Sequence, residues 1–269
     1  MSSHEQPQPF APAKRSLGQN FLVDPNVSRK IVEALDLAPG DNVLEIGPGR
    51  GALTEHILAR TPGRYVALEK DEALASELER RNPLAEVVRG DAMRFDWASL
   101  ASGERWKIVG NLPYNIASPL IWDIVSRSEF SQAVFMVQLE AGQRVAAGPG
   151  GKTYGALSAF VQNFATVEFL FKVPPQVFRP QPKVTSAVLR FFLRTPRPTG
   201  EEVSRLAATL RLCFQQRRKQ LGTILKSKGI PDYVGVLRAL DIDQMQRPET
   251  LAPERFLSMA KLLPIDFLA

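Results

Sequence analysis

The chain has 269 residues, with 34 Lys+Arg against 28 Asp+Glu, a formal charge of +6, and 44% hydrophobic residues. That length allows one large domain or two unequal ones, and the composition excludes wholesale disorder. One cysteine and two histidines exclude a disulfide framework and a Cys/His zinc cluster. No apolar run suits a signal peptide or reaches the ~18 residues of a membrane span, so a soluble protein of the reducing cytoplasm is expected.

Residues 1–13 hold three prolines and little apolar content, and read as a flexible tail. Asp24-Pro25 is a helix start, an N-cap followed by proline at the first helical position. Strand and helix patterns then alternate. Strands are expected at 42–46, 64–68, 85–88, 107–109 and 133–137, and helices at 52–60, 72–81 and 119–125. That alternation predicts a parallel sheet with helices on both faces. Two β-rich runs, 166–173 and 186–193, flank the proline-rich VPPQVFRPQPKV and would end the sheet as an antiparallel hairpin. TPRPTG (195–200) reads as a linker, followed by helical patterns at 201–226 and 231–240 and a helix starting at Pro253. The expected organisation is a tail (1–13), an α/β domain (14–196) and a smaller all-helical domain (197–269).

The charge is unevenly spread. Residues 172–228 carry 13 Lys/Arg against two acids, Glu201 and Glu202, a balance of +11; the remainder carries 21 against 26, or −5. A basic stretch on an acidic body suggests a polyanion-facing surface, with a merely solvated basic face as the alternative.

Chemistry concentrates where strands end. The strand 42–46 runs into Gly47-Pro48-Gly49-Arg50-Gly51, whose glycines let the backbone approach a ligand. Glu69 ends the second strand, Asp91 follows the third and Asn111 the fourth. Ligands of open α/β sheets bind along that edge. An acid at Glu69 suits ribose hydroxyls, and Asp91 suits an adenine amino group. These features fit NAD and S-adenosylmethionine equally, and a ligand-free tight turn also remains open. Asn111-Leu112-Pro113-Tyr114 is more specific. An exocyclic base amine is a poor nucleophile because its lone pair is delocalised into the ring. The Asn111 side-chain oxygen and a backbone carbonyl at Leu112 or Pro113 could accept its protons and make the nitrogen more tetrahedral. Proline keeps the turn rigid, and Tyr114 offers a stacking face worth ~1–3 kcal/mol per base. No histidine, serine or cysteine nucleophile is required.

With these motifs in place, the sequence resembles the bacterial small-subunit (16S) ribosomal RNA adenine N6-dimethyltransferases, the kasugamycin-sensitivity family. The matching segments run in order from LGQNFLVD (17–24) through VLEIGPGRGALTEHI (43–57), ALEKD (67–71), GDAM (90–93) and VGNLPYNIASPLI (109–121). They continue through AGPGGKTYGALSAFVQ (147–162), VPPQVFRPQPKVTSAV (173–188), FQQRRKQLGTIL (214–225) and RPETLAPERF (247–256). A departure is LEAGQRV, with Leu139 and Ala141 where the family pattern has Lys and Val. The resemblance implies a Rossmann-like S-adenosylmethionine-dependent methyltransferase sheet. It implies cofactor contacts from Asn20, Leu22, Gly47, Glu69, Asp91 and Asn111, and Phe178 as a second aromatic opposite Tyr114 in the target-base pocket. The implied substrate is a pair of neighbouring adenines near the 3′ end of small-subunit RNA within an immature 30S subunit, met by a monomer. Arg217, Arg218 and Lys219, expected on a helix, would track phosphates, and Arg179 and Lys183 would guide the strand carrying the target. The related large-subunit adenine methyltransferases of macrolide resistance are the runner-up. An NAD-dependent oxidoreductase would leave Asn-Leu-Pro-Tyr unexplained, and a non-catalytic ribosome-assembly factor is a third class.

Overall fold

The computed structural model describes residues 12–14, 17–101 and 105–264. The tail expected over 1–13 therefore lies outside the described residues, except Pro12 and Ala13. In chain order the elements are β1 (Phe21–Leu22), α1 (Pro25–Ala34), β2 (Asn42–Ile46), α2 (Thr54–Leu58), β3 (Arg64–Glu69), α3 (Glu72–Arg81), β4 (Glu86–Arg89) and β5 (Trp106–Asn111). There follow α4 (Ala117–Arg127), β6 (Gln132–Gln138), α5 (Leu139–Val145), α6 (Ala156–Phe164), β7 (Ala165–Val173), β8 (Phe178–Arg179) and β9 (Ser186–Leu193). The chain ends in α7 (Glu201–Gln215), α8 (Leu221–Ser227), α9 (Tyr233–Ala239) and α10 (Pro253–Leu262).

Seven strands form one Rossmann-like sheet in the order β4-β3-β2-β5-β6-β9-β7, parallel from β4 to β6. The β-rich pair is antiparallel, as the hairpin reading requires, but β9 lies inside, between β6 and β7. Composition explains this order. β9 (SAVLRFFL) is mostly buried and suits a covered position, whereas β7 (ATVEFLFKV) carries Glu168 and Lys172 and suits an edge. A separate two-stranded ribbon pairs β1 with β8.

Side-chain alternation splits the sheet between two cores. Leu44, Ile46, Ile108, Phe135 and Val137 face one cluster, while Val43, Val109, Val134 and Met136 face the other. The first cluster continues through Phe160 and Phe164 of α6 to Leu206, Leu210 and Phe256 of the C-terminal helices. The helical region thus shares its core with the sheet. The 195–200 segment is an ordered connection: Arg197 donates to the Ser128 carbonyl at 2.8 Å and pairs with Glu129.

Two differences from the sequence reading bear on function. The helix over 201–226 breaks into α7 and α8, because Gln216 leaves helical geometry at φ −122°, ψ 45°. Arg217, Arg218 and Lys219 therefore sit in a turn and not on a helix. The helix expected at 52–60 shortens to the five residues of α2, so little macrodipole stands behind the glycine loop. Helices α5 and α6 were not anticipated.

Candidate active site

The ends of β2, β3, β4 and β5 open onto one cavity, lined by Asn20, Leu22, Gly47, Glu69, Asp91 and Asn111 and by Leu112, Pro113 and Tyr114. The six residues expected to hold a cofactor and the Asn-Leu-Pro-Tyr turn are thus brought together. The glycine loop takes left-handed geometry at Gly47 (φ 62°) and Gly49 (φ 58°), which a side chain would strain. At Gly49 space matters too, since a Cβ would meet the Phe21 ring at 3.1 Å.

Glu69 is buried and held on both oxygens. Oε2 accepts from the Gly49 N–H at 3.1 Å and Oε1 from the Asp71 N–H at 2.8 Å. An ionised carboxylate has about four acceptor positions, so capacity remains for the two hydroxyls of a ribose. Burial raises the Glu69 pKa, and the two backbone N–H bonds restrain the rise. Asp91 is fixed differently: Lys70 Nζ donates to Oδ2 at 2.8 Å and the Met93 N–H to Oδ1 at 3.0 Å. The Lys70 hydrogen bond leads in holding its pKa below the usual carboxylate range, so it stays an ionised acceptor.

The described residues before β1 fold over the cavity. Asp71 holds them: Lys14 Nζ lies 2.8 Å from Oδ1 and Gln19 Nε2 donates to Oδ2 at 2.9 Å. Burial pushes the Asp71 pKa upward, but Lys14 and Gln19 outweigh it and the net shift is downward. Asn111 joins this cover through Nδ2, which donates to the Asn20 carbonyl at 3.1 Å. With the amide nitrogen so engaged, Oδ1 is the acceptor left for a ligand. The turn also selects between the two backbone carbonyls. Pro113 O accepts from the Ile116 N–H at 3.1 Å, whereas the hydrogen bonds of the described residues leave Leu112 O unused. Tyr114 is half-buried, with Oη 2.9 Å from Ser186 Oγ. Burial raises its pKa and the Ser186 bond opposes the rise.

Phe178, expected opposite Tyr114, lies apart from the cavity lining. It is fully buried in the cluster that holds Leu22, Met136 and Val188. The cause is the ribbon, whose register sets Phe178 opposite Leu22 and turns the ring into the core.

The basic candidates sit on separate elements. Arg179 and Lys183 are exposed on β8 and the approach to β9, and Arg179 donates to the Gln176 and Phe178 carbonyls. Arg217 is a bridge: Nε lies 2.8 Å from Glu249 Oε2, and Nη2 donates to the Lys152 carbonyl at 2.8 Å. Arg218 and Lys219 are exposed in the same turn.

The sequence reading missed Glu45, which also lines the cavity and is almost fully buried. Tyr65 Oη donates to its Oε2 at 2.6 Å and Thr54 Oγ1 at 2.8 Å. Burial raises its pKa to about 7, against those two bonds, and the charge of Glu69 adds to the rise. The signal was present, an acid two residues before the first glycine inside an otherwise apolar strand. Nothing local marked Asp71 or Ser186.

A ribosomal RNA adenine dimethylase family profile matches residues 11–264. The ribosomal RNA small subunit methyltransferase A of Nitratidesulfovibrio vulgaris (strain Hildenborough) is 51% identical over 263 residues, covering 96% of this chain and 98% of that protein. A dimethyladenosine transferase from Plasmodium falciparum superposes with a TM-score of 0.75 at 27% identity, covering 89% of this chain and 95% of that one. The 23S rRNA methyltransferase ErmE gives a TM-score of 0.69 at 27% identity, covering 90% and 98%.

Proposed function

The chain belongs to the ribosomal RNA adenine dimethylase family, and from that premise we propose that it dimethylates N6 of two adjacent adenines in the 3′-terminal hairpin of small-subunit (16S) ribosomal RNA. S-adenosylmethionine supplies the methyl groups when bound. The observation that carries the reading is Asn111, whose amide nitrogen is spent on Asn20 and whose oxygen is thereby the acceptor beside Tyr114.

Glu69 would hold the cofactor ribose, and Asp91 its adenine amino group. Asn111 Oδ1 and the Leu112 carbonyl accept the two protons of the target amine, which draws its lone pair out of conjugation with the ring. Tyr114 stacks on the base and keeps N6 aligned with the incoming methyl carbon. After the first transfer the monomethylated amine keeps one proton, so one acceptor suffices for the second. The displaced proton passes to solvent. In this reading residues 14–196 carry catalysis and 197–269 contribute to docking on the RNA. The protein acts in the cytoplasm as a monomer on immature 30S subunits. Small-subunit RNA is favoured over large-subunit RNA by the 51% identity to a small-subunit enzyme, against 27% to ErmE.

The deciding experiment supplies labelled S-adenosylmethionine with unmethylated small subunits or with large-subunit RNA, and hydrolyses the product to nucleosides. Label in N6,N6-dimethyladenosine from the small subunit alone is the expected result. Label from large-subunit RNA instead would transfer the assignment to the other branch of the family.

A further inference from the structure

Ser186 and the hydroxyl of Tyr114 pose a common question. Stacking needs only an aromatic ring, so the phenolic oxygen of Tyr114 has no duty in it. Ser186 opens β9, a strand that is otherwise apolar over its first four residues, and is itself fully buried. A buried hydroxyl is unfavourable unless a partner satisfies it. The two oxygens answer each other at 2.9 Å.

The sheet places them so. Asn111 at the end of β5 pairs with Met136 of β6, and Ser186 pairs with Gln138 two residues further along β6. Tyr114 therefore spans the carboxyl end of β6 to reach the first residue of β9. Its backbone end is fixed by the turn, through Leu112 N–H to the Met136 carbonyl at 3.0 Å and Ile116 N–H to the Pro113 carbonyl. Its phenolic end is fixed by Ser186. A side chain held at its backbone end and at its phenolic oxygen cannot swing about χ1, so the ring meets the base already in place.

We propose that Ser186 is a positioning residue, which holds the Tyr114 ring in the place that receives the target adenine. The inference rests on Tyr114 being the base platform. It assigns a catalytic consequence to the antiparallel strand β9, which supplies no residue to the cavity lining.

The test is a double-mutant cycle with Ser186→Ala, Tyr114→Phe and the pair, read as kcat and KM for methylation of small subunits. Calorimetric cofactor affinity and the melting temperature are measured alongside. Each single change removes the same hydrogen bond and keeps the ring. Each should therefore lower kcat roughly 5-fold, the size of one neutral hydrogen bond. Cofactor affinity should stay within about 2-fold, and the double variant should be no slower than either single one. Wild-type kcat in Ser186→Ala, even with a lowered melting temperature, would overturn the proposal. So would losses that multiply to roughly 25-fold in the double variant, since the two hydroxyls would then act separately. Failure of the underlying reading looks different: Tyr114→Ala would then retain full turnover.

Discussion

The cavity and the basic turn at 217–219 handle polar side chains in opposite ways. In the cavity nearly every polar group is already engaged by the protein: Glu69 by two backbone N–H groups, Asp91 by Lys70 and Met93, Asn111 by Asn20. In the basic turn, only Arg217 is anchored, and Arg218 and Lys219 extend into solvent. The proposed ligands would account for the difference. A small cofactor and one base have fixed shapes, and groups held in place beforehand lose little freedom on meeting them. A folded RNA presents repeating phosphates, and long solvated cations adapt to them while releasing counterions.

Four tests sharpen that contrast. The largest effect is expected from Asn111→Ala, which would remove the acceptor proposed for the target amine and should lower kcat by roughly 10²–10³-fold, the scale of losing one such polar group from an active site. Near-normal single-turnover rates would show that the amine is oriented by something else. Next, Glu69→Ala should weaken cofactor binding by roughly 10- to 100-fold, the worth of hydrogen bonds to a charged group. RNA affinity should barely move, and calorimetry with each ligand separates the two. An equal loss of RNA binding would mean that cavity and RNA surface are not independent.

On the basic side, changing Arg218 and Lys219 to Ala should flatten the salt dependence of RNA binding by about 1.4–1.8 log units per log unit of salt, as for two phosphate contacts. Adding Arg217→Ala should contribute little more to the slope, because its guanidinium is committed to Glu249 and Lys152. It should instead lower the melting temperature. A third equal step in the slope would place Arg217 on the RNA and break the distinction drawn within this turn.

The smallest effect concerns Glu45. Its pKa of about 7 in the folded protein stands above the ordinary 4.5. Below about pH 4.5 the carboxyl is protonated whether the chain is folded or not, and contributes no pH dependence. Between 4.5 and 7 the folded state retains a proton that the unfolded state has lost, so stability falls as pH rises through this window. Above it the full cost of the buried charge is present. Denaturant unfolding at pH 5 and pH 8 should show this decline in the wild type and a flatter profile in Glu45→Gln.

What was legible in the sequence followed from periodicity and from motif position. The strands at 42–46 and 186–193 and the helix at 72–81 are read with their boundaries intact, because apolar spacing marks them locally. Glu69, Asp91 and Asn111 were legible because strand ends converge on one edge of such a sheet. A motif gives identity at a position, however, and says nothing of exposure. Phe178 has the expected identity, yet the pairing of two-residue strands far apart in sequence turns its ring into the core. Likewise RRK reads as helix because its neighbours do, while the pairing of Arg217 with Glu249 joins residues 32 positions apart. Glu45, Asp71 and Ser186 act through partners that only the folded chain supplies.

The position of β9 has a consequence for how the protein is made. β6 is apolar and buried along nearly its whole length, and the strand that covers its open side is synthesised some fifty residues later. β7 emerges first but cannot stand in, since its place is on the far side of β9. Until residue 193 has left the ribosome, a nascent chain carries a bare hydrophobic edge able to template foreign strands. The same strand that anchors the tyrosine is thus the one whose arrival covers that edge.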